Sequence, residues 1–296
     1  MPLTRTLPLL TALLLTATAC AAPAGEDSGP DDAAGPPQAI VSLSPTTTEM
    51  LYAVGAGEQV VAVDEQSDFP AEVPVTELSG YTPNVEAILG YAPDLVVTTD
   101  DNGGLVSGLE RAGVEVLLLP AGDDVDDTYD QIEQVGAATG HEDAADDLVE
   151  RMRTEIDEIV ASVPERAEPL TYFHELDDTY YTVTDATYIG NAYELLGLRS
   201  IATGDDAYPQ LSEELILEAD PDLVFLADAQ CCGVTPESVA ERAGWDGLTA
   251  VREGRVHVVD EDIASRWGPR IVDFLREVAA LVRDVPATTA EAAPAP

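Results

Sequence analysis

Three groups of side chains in this sequence could do chemistry. The first is a set of thiols. Cys20 stands directly behind Ala17-Thr18-Ala19, and Cys231 and Cys232 are adjacent. Arg5, an apolar run over residues 7–19 and small residues before Cys20 have the form of an export signal. That run is shorter than the roughly 20 apolar residues a bilayer span requires. After cleavage, the Cys20 thiol would be the new N-terminus and open to acylation. Cys231 and Cys232 could close a vicinal disulfide in an oxidising compartment, although its small ring demands strained backbone. Either a structural pair or a ligand-facing pair fits their place after a strand. The second group is a repeated acid, Glu86 and Glu214, each in the first turn of an expected helix, where a carboxylate complements the dipole. The third is aromatic and polar: Tyr81, Thr99, His174, Tyr181, Tyr208, Arg266 and Trp267 all fall in or beside loops at strand ends. Aromatic faces with a few directed polar groups suit a flat macrocycle or an aryl-rich chelate, and edge-of-core packing is the plainer reading of each tyrosine. His174 is either a satisfied structural residue or an axial ligand to a bound metal. His141, His174 and His257 share no spacing that would gather them, so no resident metal site is expected. No nucleophile elbow, phosphate loop or dinucleotide glycine set is present, so no catalytic residue is assigned.

These residues sit in a chain of 296 with 57 acids against 13 basic residues, a net charge of −44. All 13 basic residues are arginine. Such a surface repels nucleic acid and anionic lipid. Salt screens self-repulsion of this density, so adaptation to a saline habitat is the expectation; GC-rich coding, which also replaces Lys with Arg, is the plainer alternative and accounts less well for the excess of acid. Hydrophobic residues make up 45% of the chain, enough for a packed core.

The elements that must position the groups alternate. Strands are expected at 40–43, 60–63, 95–98 and 114–119, with helices at 47–54, from 84, and at 105–112. Val-rich strands alternating with helices predict an α/β fold whose mostly parallel sheets are covered on both faces. The sequence then repeats itself. Glu86-Ala-Ile-Leu-Gly-Tyr-Ala-Pro93-Asp94-Leu95-Val96 aligns with Glu214-Leu-Ile-Leu-Glu-Ala-Asp-Pro221-Asp222-Leu223-Val224 at an offset of 128. Two lobes on one plan follow. Between them Ala145, Leu148, Met152, Ile156, Ile159 and Val163 recur at three- and four-residue steps, which predicts one amphipathic helix over 141–163. A single stiff helix between the lobes predicts limited closure. The expected layout is a signal over 1–20, a tether over 21–38, an N-terminal lobe over 39–140, a linking helix over 141–167, a C-terminal lobe over 168–285 and a tail over 286–296.

From about residue 39 to 285 the chain resembles the metal-chelate binding proteins of ABC importers. The resemblance rests on Ile40-Val-Ser-Leu-Ser-Pro45-Thr-Thr-Thr-Glu49, Gly55-Ala-Gly, Asp68-Phe69-Pro70, the Glu86 box, Tyr208-Pro209-Gln210-Leu211-Ser212 with Glu214, and Ser265-Arg266-Trp267-Gly268-Pro269-Arg270. It implies two α/β lobes bridged by one long helix, with the ligand held between them. It also implies a receptor docking Glu86 and Glu214 on a permease dimer, while Ala17-Thr18-Ala19-Cys20 resembles a bacterial lipobox and implies export with a lipid anchor on Cys20, an ordinary secretory signal being the alternative. The cargo would be a metal chelate, either cobalamin or a ferric siderophore, with haem as the alternative and a secreted enzyme a more remote one. No cofactor of the protein's own is implied.

Overall fold

Short runs of Val, Ile and Leu build the central strands because side chains on both faces of those runs find apolar cover. The structure is a computed structural model that describes residues 35–204 and 206–286. Cys20, the signal segment, most of the expected tether and nearly all of the expected tail lie outside the described residues. The first lobe runs β1 (Ile40–Ser42), α1 (Pro45–Ala53), β2 (Val60–Val63), α2 (Val85–Leu89), β3 (Leu95–Thr98), α3 (Leu105–Arg111), β4 (Glu115–Leu118) and α4 (Val125–Thr139). The helix α5 (Glu142–Ser162) follows. The second lobe holds β5 (Leu170–Glu175), α6 (Tyr188–Leu195), β6 (Leu198–Ser200), α7 (Glu213–Ala219) and β7 (Leu223–Leu226). It continues through α8 (Ala229–Cys232), α9 (Pro236–Ala240), α10 (Thr249–Arg252), β8 (Val256–Val258), α11 (Glu261–Ser265) and α12 (Ile271–Asp284).

The two sheets follow one path. Their strand orders are β2-β1-β3-β4 and β6-β5-β7-β8, and every pairing is parallel. In each sheet the chain reverses direction across the sheet between the first and third strands, β1/β3 and β5/β7. That switch point is where α/β sheets leave a crevice outside their carboxyl ends.

The repeated Pro-Asp-Leu-Val has a structural reason in each lobe. Asp94 Oδ2 accepts from the backbone N–H groups of Gln38 (2.9 Å) and Ala39 (3.1 Å), at the entry to β1. Asp222 Oδ2 accepts from the N–H (2.9 Å) and hydroxyl (3.1 Å) of Thr171, at the entry to β5. Each aspartate precedes the third strand of its sheet and clips the start of the first. Orphaned strand-end donors are thereby satisfied.

The linking helix α5 spans 21 residues, about 32 Å, and turns Ala145, Val149, Met152 and Ile156 into the core. His141 and Val163, expected inside it, stand just beyond its ends. Leu148 is only partly buried, and Val149 takes the fully buried place. The helix is not a bare rod. Gly140 adopts a left-handed turn (φ 76°), which α4 uses to fold back along α5. At the crossing, a methyl group on Gly136 would overlap Ala145, so glycine there permits the close approach.

One apolar cluster runs through both lobes, joining Ile40 and Leu95 of the first sheet to Tyr172 and Phe225 of the second by way of Val135, Met152 and Leu275. The described residues from Pro36 on accordingly form one compact unit. Arg166, just after α5, donates to the carbonyls of Val282 (3.1 Å), Val285 (2.6 Å) and Pro286 (3.1 Å), capping the C-terminal end of α12.

Candidate functional site

The crevice at the second switch point opens into a cavity of about 570 Å³ that draws on both lobes. Gly122 and Asp123, which follow β4, come from the first lobe. His174 at the end of β5, Ala227 just past β7, and Tyr188, Tyr208 and Trp267 come from the second. Its back wall is pinned to α4. Trp267 donates its indole N–H to Gln131 Oε1 (3.2 Å), and the Thr128 hydroxyl pairs with Tyr188 (3.0 Å) and the Trp267 carbonyl (3.2 Å). A smaller hollow of about 170 Å³ lies at the first switch point, between Ser44, Asp64, Gly80, Tyr81, Thr99 and Asn102.

The residues expected to meet a ligand thus fall in several places. His174, Tyr208 and Trp267 share the interlobe cavity. Tyr81 and Thr99 share the hollow of the first lobe, where Tyr81 is 86% exposed. Tyr181 lies outside both; its backbone bridges to Gln210 and its ring is exposed.

Arg266 departs most from expectation. It does not offer a free cation to the cleft but is buried in an ion cluster between lobes. Arg266 Nη1 donates to Glu49 Oε1 (2.9 Å) and Asp68 Oδ1 (3.2 Å), and Nη2 to Asp262 Oδ1 (2.7 Å). Arg270 grips both oxygens of the same Glu49, at 2.8 and 2.5 Å, and lies over the Phe69 ring at 4.4 Å. Glu49 is only 3% exposed. Two guanidiniums stand in for the water that a carboxylate so buried has lost.

With Arg266 spent, the charged side chains lining the cavity are Asp123, Glu261 and Asp262, all acidic. The expectations from sequence passed over these three. The signal was there, since Asp123 follows β4 and Glu261-Asp262 follow β8, both carboxyl strand ends. Beneath the floor, Glu175 is fully buried and held by Arg242 through both guanidinium arms (2.6 and 2.5 Å). Burial, with the charge of Glu175 second, raises Asp228 to about 7. Neither Asp228 oxygen has a hydrogen-bond partner. His174 pairs Nδ1 with the Tyr193 hydroxyl (2.9 Å), while Nε2 is unpartnered. Burial lowers it to about 4, so the imidazole is neutral near pH 7.

Glu86 and Glu214 are exposed in equivalent helices. Asn84 caps α2 and Ser212 caps α7, each accepting from the third helical N–H. Beside Glu214, Glu213 turns inward to accept from the Trp245 indole (3.0 Å), which leaves Glu214 as the outward acid. Cys231 and Cys232 are joined as a vicinal disulfide in α8, directly after β7.

The model of the periplasmic binding protein family matches residues 40–263. The chain belongs to that family. Among periplasmic binding proteins and their relatives, it is 31% identical over 252 residues to an uncharacterized ABC transporter substrate-binding lipoprotein of Bacillus subtilis, covering 82% of this chain and 79% of the other. It is 32% identical over 260 residues to a cobalamin-binding protein of Halobacterium salinarum, covering 82% and 69%. Among solved structures, a possible iron-binding periplasmic solute-binding protein of Staphylococcus epidermidis superposes with a TM-score of 0.74 at 28% identity, covering 83% and 98%. This periplasmic binding protein therefore acts by holding a ligand in its interlobe cleft and presenting it. Among its described residues, no helix is long and apolar enough to cross a membrane.

Proposed function

We propose that the protein is exported, anchored at the outer face of the cytoplasmic membrane through a lipid on Cys20, and captures a metal chelate without net negative charge. Cobalamin leads this class, with a neutral ferric hydroxamate next. The observation that carries the reading is the charge of the cleft: three acids line it, and its nearest arginines, Arg266 and Arg270, are consumed by Glu49, Asp68 and Asp262. A ligand bearing carboxylates or catecholates meets repulsion there with no cation to offset it. A corrinoid is mostly apolar and amide-edged, which suits Tyr208, Trp267 and the aliphatic lining. It exceeds the cavity in size, so part of it rests in the open slot. The cobalamin-binding relative supports the same choice. Haem is the second reading, favoured by the free Nε2 of His174 and opposed by its two propionates.

Delivery is to an ABC permease dimer, with Glu86 and Glu214 meeting basic sockets on its two subunits. Single exposed ion pairs add about 0–1 kcal/mol, so the pair sets register more than affinity. The test is calorimetric titration with cyanocobalamin, a ferric trihydroxamate and hemin. One of the first two should bind best, and tighter binding of hemin would overturn the assignment. Glu86→Lys with Glu214→Lys should abolish uptake in cells and leave ligand affinity unchanged; normal uptake would refute the docking role.

A further inference from the structure

The vicinal disulfide is the feature that ligand capture has not absorbed. It lies in α8, a single turn of four residues at the carboxyl end of β7. Only two backbone bonds of helical type close this turn, Cys232 N–H to the Asp228 carbonyl (3.0 Å) and Gly233 N–H to the Ala229 carbonyl (3.0 Å). One isolated turn is an unfavourable nucleus, since it fixes many dihedrals for few hydrogen bonds. Burial does little to hold it, because residues 230–233 are exposed. Two constraints remain. One is the covalent link between Cys231 and Cys232. The other is the Cys231 N–H, which donates to Glu261 Oε2 at 3.3 Å. Glu261 lines the interlobe cavity, and its neighbour Asp262 lines it too while holding Arg266. The disulfide thus stands one hydrogen bond from the cavity wall, and Ala227, at the root of the same turn, is part of that wall.

We propose that the Cys231–Cys232 disulfide is a redox-sensitive brace of the cleft rim, which positions Glu261 and so couples thiol chemistry to ligand affinity. Reduction is by thiol–disulfide exchange with an external dithiol. The Cys231–Cys232 S–S bond breaks, two electrons and two protons arrive, and the dithiol leaves as its own disulfide. The turn then loses its covalent constraint, the Cys231 N–H leaves Glu261, and the carboxylate is free to swing across the mouth of the cavity. Glu261 is the group acted through, so the cysteines are positioning residues. Linkage requires reciprocity: if reduction weakens ligand binding by some factor, bound ligand makes the disulfide harder to reduce by the same factor.

This inference rests on the proposed ligand reading for one arm of its test and stands without it in the other. In the first arm, hydrogen exchange is measured on ligand-free protein before and after reduction with a phosphine or dithiothreitol. Exchange should rise at residues 229–233 and also at 261–265. A rise confined to the cysteine turn, or none, overturns the brace. Cys231→Ser with Cys232→Ser should reproduce the reduced pattern in air, and the oxidised pattern in that variant would equally overturn it. In the second arm, cyanocobalamin is titrated into oxidised and reduced protein. The reduced form should bind roughly tenfold more weakly, and saturating cyanocobalamin should shift the dithiothreitol midpoint by an equal factor. Equal affinities with an unmoved midpoint overturn the coupling. If the first arm succeeds and neither form binds cyanocobalamin, the brace stands and the corrinoid reading falls.

Discussion

At the carboxyl end of the first sheet, Ser42, Thr47, Thr48, Ser67 and Asp64 form a buried chain of hydrogen bonds. The Thr48 hydroxyl lies 2.8 Å from both the Ser42 and the Ser67 hydroxyls, and Ser67 donates to Asp64. Asp64 also accepts from the Gln66 N–H (3.3 Å). At the same place in the second sheet, His174 Nε2 and both oxygens of Asp228 have no partner, although both residues are at most 1% exposed. One plan of folding therefore ends in two polar states, one closed on itself and one left open. Buried polar groups are nearly always paired, and exceptions gather where a protein does something other than fold. The contrast places the adaptable chemistry of the cleft in the second lobe and its fixed wall in the first. The buried acids repeat the contrast. Glu49 of the first lobe is held by two arginines, whereas Glu175 of the second has one arginine and is pressed by Asp228.

The largest expected effect tests those acids. Glu49→Gln takes from Arg270 its carboxylate partner and from Arg266 one of three, and should cost about 3–5 kcal/mol, read as a lowered urea midpoint. Glu175→Gln should cost only about 1–2 kcal/mol, because Arg242 can turn its charge to Asp228. Equal losses would erase the distinction between the lobes.

A smaller effect of opposite sign is expected at Asp228. Unfolded, its carboxyl ionises near the ordinary 3.8; folded, near about 7. Between those values the folded state alone keeps the proton, so the contribution of Asp228 to stability falls as pH rises and levels off above about 7. His174 acts in the other direction. Its folded value of about 4 lies below the ordinary 6.5, so the stability it contributes is lost as pH falls through that window. Asp228→Asn should then stabilise the protein by about 1–3 kcal/mol at pH 8 and hardly at pH 5, as thermal melts at the two values would show. A gain that is the same at both would mean that the carboxyl is ordinary.

The smallest effect belongs to the closed network. Ser67→Ala cuts the link from Thr48 to Asp64 and should cost about 1 kcal/mol by denaturant titration, with cyanocobalamin affinity unchanged. A loss of affinity would extend the adaptable region into the first lobe.

The sheets, the repeat and the linking helix were legible because each has a period: Val-rich runs, a 128-residue offset, and apolar side chains every three or four residues. The helix α4 carries a similar stripe, Val125, Tyr129, Ile132 and Val135, but acids crowd around it, Asp123 to Asp130 among them, and no element is expected there from sequence. The site was less legible for a different reason. Sequence marks Arg266 and Trp267 as adjacent and conspicuous, yet which of them faces the cleft depends on Glu49, 217 residues away. Long-range pairing of this kind has no period to read. The acids that line the cavity follow the strand-end rule, but in a chain with 57 carboxylates no single one stands out. Asp94 and Asp222 show the converse, since their repetition is plain while its cause, a clip on the entry of each central strand, lies in hydrogen bonds to residues more than 50 positions away.

The Glu49 cluster also bears on how such a protein can diversify. Because one acid near the start of the chain is matched to two arginines near its end, whole lobes cannot be exchanged between relatives unless all three positions travel together. Loops at strand ends carry no such obligation. New cargo preferences should therefore arise by local substitution around the opening, and hybrids assembled lobe by lobe should inherit a broken seam before they inherit a new taste.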